Sequence, residues 1–127
     1  MRFWILALAV FLAAGSAVAQ RKADVQLIDV KARRVEGGQI VVDGRVRSGS
    51  DKPIKKLVII FDFLSDTGEP LTTLKAEVED DVIARQQESA FHAVSENPPG
   101  AIRYKLRAVD FSGKQLRLSE TGPFTVE

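Results

Sequence analysis

The chain has 127 residues, 45% of them hydrophobic and 28% charged, with a formal net charge of +1 and no cysteine. This balance fits one globular domain. It excludes collagen, wholesale disorder, a disulfide-stapled mini-protein and a multi-pass membrane protein.

The first segment reads as a leader. Arg2 supplies a positive charge, residues 3–14 form an unbroken apolar run, and Ala17-Val18-Ala19 offers the small-x-small exit before Gln20. Charge, short apolar stretch and small-residue exit are the three parts of a secretory signal peptide. A bilayer-spanning helix needs about 20 apolar residues, and residues 3–19 fall short of that. The expected boundaries are a signal peptide over 1–19 and a domain over 20–127, with no integral membrane span after cleavage. The alternative is an uncleaved N-terminal anchor. No cysteine follows the apolar run, which excludes a bacterial lipoprotein anchor. The domain would then be exported, periplasmic or extracellular, and held together by packing and sheet hydrogen bonds alone.

Beyond the leader, period-two alternation predicts strands throughout. The first spans residues 24–35 and ends at the turn signal Gly37-Gly38. The second spans 39–47, with Ile40, Val42, Gly44 and Val46 on one side and Val41, Asp43, Arg45 and Arg47 on the other. Residues 48–53 read as a loop. Residues 54–65 form the strongest strand, with Leu57, Ile59, Phe61 and Phe63 in one row and Val58, Ile60, Asp62 and Leu64 in the other. Apolar residues on both faces predict a central position in a sheet.

Asp66-Thr67-Gly68-Glu69-Pro70 is a turn. A strand over 71–78 follows, with Leu74, Ala76 and Val78 inward, ended by Asp80-Asp81. Residues 82–84 are ambiguous. A strand over 86–94 carries Phe91, and Asn97-Pro98-Pro99-Gly100 breaks the chain because proline cannot donate to a ladder. Residues 101–110 alternate Ile102, Tyr104, Leu106 and Ala108 against Arg103, Lys105 and Arg107. Ser112-Gly113 is a hairpin turn, and a last strand begins at 115–119 and resumes at 124–126. About seven strands with turn signals between them predict an all-β, antiparallel, immunoglobulin-like β-sandwich.

Residues 44–110 resemble the FxLYD-type domain of exported proteins, an immunoglobulin-like or fibronectin type III-like module. The matching pieces are Gly44-Arg45-Val46, Val58-Ile59-Ile60-Phe61-Asp62-Phe63, Asp66-Thr67-Gly68 and Phe91. Arg47 stands where the family outline has Asn, and Arg85-Gln86-Gln87-Glu88 stands in place of a Pro-Gly before Phe91. The resemblance implies an exported accessory or binding module without known catalysis, and transfers no functional residue.

The chemistry of the side chains points the same way. Nucleophilic triads need a histidine to take a proton, and His92 is the single histidine. Its alternation with Phe91 places it away from the core. No phosphate loop or nucleophile elbow occurs, and one histidine without cysteine does not make a zinc site. Glu77, Glu79, Asp80 and Asp81 form the acidic cluster. It reads as a solvated strand end, with calcium binding as the alternative. No cofactor is expected.

Residues 20–56 carry 10 basic and 5 acidic groups, residues 57–102 carry 2 and 9, and residues 103–127 carry 5 and 3. Aromatic side chains are not interleaved with the basic positions, so nucleic acid is not an expected partner. A protein or another envelope component is.

In an immunoglobulin-like order the 54–65 and 101–110 strands are neighbours. Val58 and Ile60 would then form an apolar floor beside a basic rim of Arg103, Lys105 and Arg107, a face suited to docking an acidic partner. The competing reading is that the basic stems simply shield Val58 and Ile60. The expected function is a non-catalytic binding or accessory module of the periplasm or cell envelope. The alternatives are a membrane-anchored domain and a small calcium- or glycan-dependent hydrolase subunit.

Overall fold

The computed structural model describes residues 22–96 and 99–127. The expected leader over 1–19, its cleavage site, and Asn97-Pro98 lie outside the described residues. Among the described residues the chain runs β1 (Val25–Arg34), β2 (Ile40–Ser48), β3 (Ile54–Lys55), β4 (Val58–Leu64), β5 (Pro70–Glu77), β6 (Val82–Ile83), β7 (Glu88–Ser95), β8 (Arg103–Val109), β9 (Gln115–Leu116) and β10 (Phe124–Thr125).

The two main sheets have the orders β1-β2-β7 and β10-β8-β4-β5, with β9 added on β8. Seven strands lie along these two paths, and their ladders are antiparallel. The chain forms the β1–β2 hairpin in one sheet and crosses to β4–β5 in the other. It then returns to set β7 beside β2 and crosses again to set β8 beside β4. This is the alternating, Greek-key connection of an immunoglobulin-like β-sandwich.

Each inward row is apolar because side chains alternate across a strand. Ile40, Val42 and Val46 of β2, Ile59, Phe61 and Phe63 of β4, Phe91 of β7, and Tyr104, Leu106 and Ala108 of β8 are all buried. Phe61 joins the layers. Its ring centroid lies 6.0 Å from that of Phe91 in the opposite sheet and 5.4 Å from that of Tyr104 in its own. Gly44 belongs to the same inward row. A Cβ there would stand 2.9 Å from Val30 and 3.0 Å from the Phe91 ring, so the close packing of β1, β2 and β7 requires glycine at this point.

The C-terminal stretch closes the seam between the sheets. Asp24 and Val25 N–H donate to the Arg117 carbonyl, and Ser119 N–H donates to that of Val25. Further along, Glu127 N–H donates to the Ala32 carbonyl and Arg34 N–H to that of Glu127. The free edge of β1 is thereby tied to the other sheet at both ends. Exposed edge groups are otherwise templates for unwanted pairing.

Three expectations are corrected. Residues 54–65 are not one strand: Lys56 adopts a φ of 50° and its N–H donates to the Asp81 carbonyl, which turns β3 away from β4 and onto β6. The ambiguous residues 82–84 contain β6, the partner of β3. Ile102 does not join the inward row of β8. It precedes the ladder, its N–H donates to the Leu64 carbonyl, and its side chain is 43% exposed.

Candidate functional site

The outward face of the β10-β8-β4-β5 sheet is set by register. Val58 lies between Glu77 and Val109, Ile60 between Lys75 and Arg107, Asp62 between Thr73 and Lys105, and Leu64 between Pro70 and Arg103. The structure therefore brings together the five residues expected to form a docking face: Val58, Ile60, Arg103, Lys105 and Arg107.

Their roles within that face differ. The Arg107 guanidinium donates to both carboxylate oxygens of Asp62, at 2.7 Å and 2.9 Å, and Thr73 Oγ1 donates to the same carboxylate at 3.2 Å. A bidentate, charge-assisted pair of this kind fixes both side chains. The hydrogen bond from Arg107 holds the Asp62 carboxyl below its ordinary range, outweighing a burial that pushes the other way, with smaller help from Thr73 and Lys105. Arg107 sits opposite Ile60 and reaches along the strand to Asp62, so its stem runs over apolar surface as long basic side chains do. Ile60 is only 5% exposed. It is covered floor, and Arg107 is a structural clamp.

Arg103 and Lys105 are exposed and form no ion pair among the described residues. Lys105 stands on the rim of a shallow recess of about 420 Å³ lined by Asp62, Leu64, Gly68, Pro70, Leu71, Thr72, Thr73 and Lys105. A register shift between Phe63 and Leu64 lets β5 carry one extra residue here, and Leu71 is left 44% exposed. Leu71 and Ile102 thus lie on the two sides of Leu64, next to Arg103.

The exposed apolar surface beside Arg103 and Lys105 is Pro70, Leu71 and Ile102, with Leu64 buried between them. Sequence reasoning missed these residues. Leu64 continues the outward row of β4, a signal that was legible. The bulge that exposes Leu71 leaves no local mark.

The remaining candidates are dispersed. His92 is exposed on β7 with Asp43 as its cross-strand neighbour. Within the acidic cluster, Glu79 N–H donates to the Ala90 carbonyl and Asp80 N–H to Ser89 Oγ, which ties this backbone to β7. Among the described residues, no group of three or more histidine, cysteine or acidic side chains converges to hold a metal. No helix there is long and apolar enough to cross a membrane.

No family model matches the chain, and no curated protein matches it. Solved structures do. The chain is similar to IrmA from Escherichia coli, with a TM-score of 0.54 and 13% identity over 84% of this chain and 99% of that one. It is also similar to part of a β-glucuronidase from glycoside hydrolase family 2, with a TM-score of 0.53 and 12% identity over 81% of this chain and 13% of that one. At such identities the likeness establishes the fold, and function is not carried by fold.

Proposed function

We propose that the chain is an exported, non-catalytic binding module of the periplasm or cell envelope, and that it docks an acidic partner on the outward face of the β10-β8-β4-β5 sheet. One observation carries the reading. Arg103 and Lys105, two exposed cations with no ion-pair partner among the described residues, adjoin a recess whose floor and rim include Leu64, Pro70 and Leu71. An apolar centre with a charged rim is the usual anatomy of a protein-docking surface. The leader-like residues 1–19 and the resemblance to FxLYD-type exported domains support the location.

Two measurements test it. The intact mass of protein recovered from the envelope or medium should lack residues 1–19; a mass that retains them favours the anchored alternative. In crosslinking on native envelopes, Arg103→Glu with Lys105→Glu should remove the crosslinked partner, because like charges facing an acidic surface cost several kcal/mol. Glu77→Lys at the other end of the face should leave it in place. High salt should weaken the wild-type complex, since exposed charges are screened beyond about 8 Å at physiological ionic strength. A double variant that captures the same partner as wild type would refute the docking face.

A further inference from the structure

We draw no further inference here: the strongest candidate, the exposed outer edge of β5 beside the recess, where Lys75 shares its face with Glu77, borders the site already described, and nothing in the structure shows what covers it.

Discussion

The two outward sheet faces carry similar residues and arrange them differently. On the β1-β2-β7 face, Arg33 pairs with Asp43 at 3.6 Å, Arg45 with Asp29 at 3.5 Å and Glu88 at 3.3 Å, and Arg47 with Glu88. Every arginine on β2 is matched by an acid on a neighbouring strand. On the β10-β8-β4-β5 face, Arg107 is matched by Asp62, while Arg103 and Lys105 are not matched among the described residues. On the first face the β2 arginines are all committed, although Lys31 of β1, exposed opposite Asp43, forms no ion pair among the described residues. The second keeps spare charge beside a recess. A count of basic residues along the chain does not separate them; pairing across strands does.

The comparison can be broken most severely through the core that both faces share. Phe61 is fully buried and touches rings from both sheets. Phe61→Ala should cost about 3–5 kcal/mol, the usual loss for emptying a buried aromatic site, out of roughly 5–15 kcal/mol for a typical domain. Denaturant melts measure this. A loss below about 1 kcal/mol, typical of a surface site, would mean that Phe61 does not join the sheets.

Gly44 probes the β1-β2-β7 sheet alone, from its inner side. A Cβ there meets Val30 and Phe91 at 3.0 Å or less, so Gly44→Val should cost about 1–3 kcal/mol through overpacking. It should also perturb amide exchange in β1 and β7 before it does so in β4 and β8. Uniform perturbation of both sheets would argue against such a local clash.

The clamp on the other face offers a smaller effect with a pH signature. The Asp62 carboxyl is held low in the folded chain by Arg107. A depressed folded pKa contributes stability that is present above the unfolded carboxylate value of about 3.9 and is lost as pH falls through the folded value. Asp62→Asn should therefore cost at most about 1 kcal/mol near neutral pH, because the pair is half-exposed. The gap from wild type should close as pH falls below about 4. Carbon-detected NMR titration should show the Asp62 carboxyl moving up toward its ordinary range in Arg107→Ala. A gap independent of pH would show that the ion pair is not its source.

The smallest expected change is at Arg103. Arg103→Ala should alter stability by less than about 0.5 kcal/mol, while the corresponding change at the clamp, Arg107→Ala, should exceed it. Equal costs at the two positions would erase the distinction between a free cation and a committed one.

Much of the fold was legible in the sequence because alternation has one physical cause. A strand with one wet face must place every second side chain in the core. The rows Ile40-Val42-Val46, Ile59-Phe61-Phe63 and Tyr104-Leu106-Ala108 were read that way and are buried. The adjacency of β4 and β8 followed from the expected sandwich order and is observed. Ile102 was misread because its parity with Tyr104 holds only inside the ladder, and the ladder starts at Arg103. The single strand over 54–65 was misread because the break is a left-handed Lys56, a conformation that lysine does not advertise.

The candidate face was half legible. The cations of β8 and the outward row of β4 came from alternation alone. That Arg107 is bound to Asp62, that Ile60 is covered, and that Leu71 and Ile102 flank Leu64 depend on register, a bulge and long-range pairing. The sequence by itself determined the strand grammar, the core rows and the charge on each strand, because these depend on neighbours one or two residues away. The tertiary structure alone decided which charges find partners and which apolar side chains remain uncovered. Ion pairing and burial are properties of distances between strands, and those distances are set by the packed sheets.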